Sequence, residues 1–191
     1  MDRRGGDEYK APMPHEKPET EPQSVLAGML IPGPLLAVEA FAATLRPGQR
    51  LIGIDVGTKT LGLALSDVER RIATGFETIR RKKFTPDAAY LLERAAEHRI
   101  GGFVLGLPLN MDGSEGPRAQ GTRAFQRNLG KLTPLPMLFW DERLSTAAAE
   151  RILIEGDASR KRRAEVIDQM AATIILQTAL DRMRRLGGQI A

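Results

Sequence analysis

The chain has 191 residues, 42% hydrophobic and 27% charged, with no cysteine. That suits one soluble globular domain with a core of its own plus some additional sequence. It excludes disulfides, cysteine nucleophiles and thiolate metal sites. With only two histidines, His15 and His98, histidine-rich zinc chemistry is excluded as well. Any metal site is then built from oxygen ligands, which suits Mg²⁺ or Mn²⁺. The formal net charge is +4, and residues 1–49 hold 5 Lys+Arg against 7 Asp+Glu, so the remainder carries +6. A basic remainder favours phosphate contact, although a solvated surface would read the same way.

Residues 1–24 are rich in Pro, Glu, Lys and Gly and poor in aliphatics. Such a segment buries too little surface to offset its ordering entropy, so a disordered tail is expected. Val25 to Val38 is apolar, but it is too short to cross a bilayer and is interrupted by Pro32 and Pro34. The long acidic stretch before it does not read as a secretory leader. Within residues 25–49 a short helix near Leu35–Leu45, ended by Pro47-Gly48, is expected to dock on a domain spanning 50–191.

That domain opens with a buried strand, Leu51–Val56, a turn at Gly57-Thr58-Lys59, and a second strand, Leu61–Asp67. Residues 71–80 alternate as a third strand, completing an antiparallel meander. A helix follows from Pro86 to about Arg99, then a wholly apolar strand, Gly102–Gly106. Asp112-Gly113 marks a turn, and Ser114 is expected to cap a helix to about Leu129 whose free N–H groups face an anion. Pro136–Trp140 is a fifth strand, with Trp140 in the core. Ser145 or Thr146 caps a helix ending at Gly156, and a last helix runs from about Ala164 to Leu186. A meander followed by alternating helices and strands predicts an α/β fold. A right-handed crossover places the fourth strand parallel to the first, in the ribonuclease H-like order 3-2-1-4-5 with helices on both faces.

Three acids stand in unusual places. Asp55 lies inside an apolar strand, where a buried unpaired carboxylate costs several kcal/mol. It caps its own turn or belongs to a site. Asp168 lies in a helical stretch apolar nearly all round (Val166, Ile167, Met170, Ala171, Ile174), as a helix-start charge or a site residue. Glu142 directly follows the fifth strand, where open α/β sheets gather ligands, or else pairs with Arg143 as a loop acid. Three such carboxylates could hold one or two divalent ions that cleave a phosphodiester.

Four motifs occur in order: Ile52-Gly53-Ile54-Asp55-Val56-Gly57-Thr58-Lys59; Gly106-Leu107-Pro108-Leu109-Asn110-Met111-Asp112-Gly113; Asp141-Glu142-Arg143-Leu144-Ser145-Thr146; and Lys161-Arg162-Arg163 leading to Ile167-Asp168 and Ala171-Ala172. This series resembles the YqgF family over about residues 50–183. Its members are described as nucleases maturing the 5′ end of pre-16S rRNA and are related to Holliday junction resolvases. The resemblance implies a cytoplasmic, Mg²⁺- or Mn²⁺-dependent nuclease in ribosome biogenesis, with Asp55, Glu142 and Asp168 as catalytic, metal-holding acids. The expected nucleic-acid contacts are Lys59, Asn110, Arg118, Arg143, Lys161, Arg162 and Arg163. Pre-rRNA is the favoured partner, branched DNA the alternative, with no membrane partner and a monomeric or homodimeric state. Thr60 stands where many members have Arg.

Two other readings remain. Gly53–Thr58 and Ala64–Asp67 also resemble the first phosphate loop of sugar kinases and actin-like ATPases, whose clefts need two such domains. The domain could also be a non-catalytic nucleic-acid-binding assembly or transcription factor. Arg160–Arg163 and Arg182, Arg184 and Arg185 would then carry its phosphate contacts.

Overall fold

The computed structural model describes residues 32–144 and 160–187, with the main chain alone at 144 and 160–166. The expected tail (1–24) and the expected helix from Ser145 or Thr146 to Gly156 lie outside these residues. Helix α1 spans Val38–Thr44, β1 Arg50–Val56, β2 Thr60–Ser66, β3 Ala73–Arg80, α2 Phe84–Glu97, β4 Ile100–Leu107, α3 Pro117–Gly130 and β5 Met137–Asp141. A single 3₁₀ turn, Glu142–Leu144, follows β5, and α4 spans Arg160–Gly187.

The sheet has the order β3-β2-β1-β4-β5. β1 pairs antiparallel with β2, and β2 with β3, while β4 lies parallel to both β1 and β5. This is the expected ribonuclease H-like arrangement. Period-two alternation splits each strand between two cores. Ile52, Ile54, Leu61, Leu63, Phe103 and Leu105 pack against Ala88, Leu91 and Ala95 of α2 and Phe125 and Leu129 of α3. Leu51, Ala64, Val104, Leu138 and Trp140 pack on the other face against Ala172, Ile175, Leu176, Ala179 and Leu180 of α4. Phe41 of α1 is fully buried in this second core, worth up to about 3 kcal/mol of apolar burial.

Several boundaries moved for local reasons. The third strand starts at Ala73, not 71, because the Asp67 carboxylate accepts the N–H groups of Arg71 (2.6 Å) and Ile72 (3.1 Å) and closes a turn. Arg70 takes a left-handed φ of 55° in that turn. α2 begins two residues before Pro86, since a proline in the first turn forfeits no helical hydrogen bond. α4 begins at Arg160 rather than Ala164, because Arg and Lys are good helix formers. Ser114 does not cap α3. The N-cap is Gly116 with Pro117 at the first position, where the fixed φ of proline is pre-organised for a helix. Ser114 instead gives its N–H and hydroxyl to Asp112 Oδ1, at 2.9 and 2.6 Å.

Candidate functional site

Three elements bring acids to the carboxyl-terminal end of β1, β4 and β5, the end where open α/β sheets bind ligands. Asp55 is the penultimate residue of β1 on the α4 face, with its side chain 14% exposed. It makes no hydrogen bond to the Gly57–Lys59 turn, so it is not a turn cap. Its closest ionic neighbour is Arg118, whose Nη2 is 3.9 Å from Asp55 Oδ1.

Asp168 arrives from α4. In the sheet register Asp55 is opposite Gly62. A Cβ placed on Gly62 would overlap the Asp168 carbonyl oxygen, with the carbonyl carbon at 2.5 Å and Asp168 Cβ at 3.1 Å. A bare glycine therefore lets the helix backbone lie on β2 and sets Asp168 beside Asp55. With α4 starting at Arg160, Asp168 sits more than two turns inside, where the dipole no longer explains an acid.

Glu142 opens the 3₁₀ turn after β5. A Cβ on Gly106 of β4 would stand 2.6 Å from Glu142 Oε1, so this second glycine makes room for the carboxyl over the sheet. Glu142 does not pair with Arg143. The Arg143 guanidinium instead donates to Asp141 from Nε (3.0 Å) and Nη2 (2.7 Å), which holds Asp141 below the usual carboxylate range. Burial pushes the Glu142 carboxyl up to about 7, with the Asp55 charge adding and Arg118 opposing. Burial also raises Asp55, with Arg118 opposing and Asp168 adding. Asp55 is thus the member shared by two interacting pairs. Among the described residues no three acids close into a ready-made metal cage. The donor chemistry, all carboxylate oxygen with mutual repulsion to relieve, fits a hard divalent cation.

The expected contact residues fall into three groups. Arg118, in the first turn of α3, is 58% exposed beside Asp55, and Lys59 is exposed in the β1–β2 turn. Asn110 and Arg143 are engaged internally. Asn110 Nδ2 donates to Ser114 Oγ at 2.8 Å, and Arg143 Nη1 leans on the Asn110 and Met111 carbonyls at 3.5 and 3.4 Å. The side chains of Lys161, Arg162 and Arg163 lie outside the described residues, though their backbone opens α4. At the other end of α4, Arg182 pairs with Glu39 and Arg184 with Asp181, which leaves less charge there for the non-catalytic reading. Trp140 is 8% exposed within the core. One neighbour escaped the sequence reading: Arg81, whose Nη1 donates to the Gly57 carbonyl at 2.6 Å. Its signal was present as four consecutive bases, Arg80 to Lys83.

Known proteins share much of this sequence. A protein of Rhodobacter capsulatus named "Putative pre-16S rRNA nuclease" is 62% identical over 159 residues, covering 83% of this chain and 98% of its own. One of the same name from Paracoccus denitrificans is 63% identical, covering 78% and 95%. A solved structure of T. thermophilus RuvC in complex with Holliday junction substrate aligns over 71% of this chain and 96% of its own, at 16% identity and a TM-score of 0.47. The RuvX family, described as Holliday junction resolvase, matches residues 49–182. With that match over most of its length and relatives above 60% identity, the chain belongs to the RuvX family, the YqgF-type group.

Proposed function

We propose that this protein is a cytoplasmic, Mg²⁺- or Mn²⁺-dependent nuclease that processes the 5′ end of pre-16S rRNA. The observation that carries the reading is the gathering of Asp55, Glu142 and Asp168 at one sheet end, with the Asp55 and Glu142 carboxyls both raised. Two glycines clear the space for them. Carboxyls shifted by burial and by one another in a cleft cluster at functional sites. The substrate class comes from the names of the relatives.

Asp55, Glu142 and Asp168 would hold the ion. When bound, a divalent ion of this kind activates water and offsets charge on the phosphate oxygens. Asp55, in the rigid centre of the sheet, fixes the position of the site. The Glu142 carboxyl exchanges its proton near neutral pH, so it is ready to ionise when a positive charge arrives. Arg118 is tethered loosely at 3.9 Å. Its remaining guanidinium donors are open to a substrate phosphate. Lys59 extends the basic margin, while Asn110 and Arg143 set the shape of the loop beside Glu142. Lys161, Arg162 and Arg163 are further candidate phosphate contacts by sequence. No helix among the described residues is long and apolar enough to cross a membrane.

The test uses purified full-length protein and its Asp55→Asn variant on a pre-16S rRNA 5′ fragment and on a four-way DNA junction, with Mn²⁺ and with EDTA. Mn²⁺-dependent RNA cleavage that Asp55→Asn abolishes is expected. Cleavage of the junction alone would transfer the assignment to a resolvase. RNA cleavage that survives in Asp55→Asn or in EDTA would end the metal-site reading.

A further inference from the structure

The turn between β3 and α2 carries Arg80-Arg81-Lys82-Lys83, the longest run of bases among residues 32–144. It lies at the same end of the sheet as the acids. Arg80 is opposite Thr60 in the register, and Thr60 is two residues from Gly62, the partner of Asp55. Residues in register share a face, so Arg80 is on the face of the sheet that carries Asp55 and Asp168. Two residue rises and two strand spacings put the Arg80 and Asp55 backbones roughly 12 Å apart. That is three or four phosphates of a stacked strand at about 3.4 Å each.

The run is held in place. The Arg81 N–H donates to the Lys59 carbonyl at 2.9 Å, and its guanidinium donates to the Gly57 carbonyl at 2.6 Å. These bonds tie the β3–α2 turn to the β1–β2 turn two residues beyond Asp55. The Lys82 N–H is taken by the Asp87 carboxylate at 3.2 Å, which fixes the start of α2 and leaves the Lys82 ammonium outside.

The charges of Lys59, Arg81, Lys82 and Lys83 are also left available. Arg71, Arg94, Arg123, Arg143, Arg182 and Arg184 are each ion-paired to an acid. Among the described residues, Lys59, Arg81, Lys82 and Lys83 have no carboxylate within ion-pair distance, and Lys59, Lys82 and Lys83 are exposed. Like charges held together by backbone ties, beside a cluster of acids but unpaired with it, make a surface for an external polyanion.

We propose that the β1–β2 and β3–α2 turns, through Lys59, Arg81, Lys82 and Lys83, form a phosphate-binding track that holds one arm of a nucleic-acid strand running away from the acids. The track rests on the nuclease reading only for its direction, with the cut at the acids and the arm at the lysines. Its contacts are to phosphates, so it reads charge and not sequence.

The experiment measures binding of a fluorescein-labelled single-stranded RNA by full-length protein across a salt series, in an Asp55→Asn background so that the RNA stays intact. Lys82→Glu/Lys83→Glu removes two track charges. Arg127→Glu/Lys131→Glu changes net charge equally but lies in the last turn of α3, about 15–20 Å along that helix from its start beside the acids. The expected result is a log–log salt slope shallower by about 1.4 for the lysine variant, two phosphate contacts at ~0.7 each, and an unchanged slope for the control. Equal losses in both variants, or an unchanged slope in the lysine variant, would overturn the track. Melting curves check folding, and Lys82→Ala/Lys83→Ala, expected to shallow the slope as well, replaces the reversal if that variant melts early. Lysine-dependent binding by a protein that never cleaves in Mn²⁺ would leave the track standing and remove the nuclease. Cleavage with an unaltered slope would do the opposite.

Discussion

Gly62→Ala should both destabilise the protein and disable it, while Gly75→Ala, one strand over on the same face, should do neither. At Gly62 the added methyl carbon would stand 2.5 Å from the Asp168 carbonyl carbon. Non-bonded carbons settle at about 3.5 Å or more, so α4 has to retreat by about 1 Å. The opposing atoms are helix backbone and cannot rotate away. Overpacking of this kind costs about 1–3 kcal/mol. It also moves Asp168 relative to Asp55, and a misplacement of ~1 Å in a reacting constellation costs about 100-fold in rate. At Gly75 the nearest atoms are Cβ and Oε1 of Gln169, both at 3.3 Å. A shift of a few tenths of an ångström in that side chain suffices, and alanine restricts the unfolded chain. A change between zero and about 0.5 kcal/mol in favour of folding follows. Urea unfolding and the Mn²⁺-dependent cleavage rate measure both. A Gly62→Ala protein as stable and as active as Gly75→Ala would refute the claim that the glycine seats the helix and thereby builds the site.

Glu142→Gln tests the electrostatics. A carboxyl moved from 4.5 to about 7 on folding contributes stability that is complete below pH 4.5 and lost as pH rises through 7, because the folded form prefers the protonated acid. The full shift corresponds to about 3.4 kcal/mol, and screening by solvent reduces it to about 1–2 kcal/mol. In EDTA, Glu142→Gln should therefore exceed the unaltered protein in stability by that amount at about pH 8 and match it near pH 4.5. A uniform effect across pH would mean that Glu142 is not strained. Phe41→Ala should cost about 3–5 kcal/mol, because Phe41 is wholly buried against the α4 face. Removing residues 1–24 should leave cleavage unchanged, whereas removal of 1–48 takes Phe41 with it, and a melting temperature unmoved by that deletion would detach α1 from the core.

The sheet was legible in the sequence because each strand states its own period. The apolar runs Leu51–Val56 and Gly102–Gly106 and the meander between them leave few topologies once crossovers must be right-handed. Asp55 was legible for the same reason: an acid in an apolar strand conflicts with its surroundings at the level of sequence alone. The tertiary structure decided the partners. Nothing in the spacing shows that Glu142 stands over Gly106 while Arg143 turns to Asp141, since neighbouring acids and bases can pair in several ways until a backbone fixes them. Ser114 failed as a cap because Pro117 and Asp112 competed for its segment, and that outcome depends on where the loop folds back. The Gly62–Asp168 contact joins residues more than a hundred positions apart. A glycine in a strand says that something approaches closely, but only the packed helix says what.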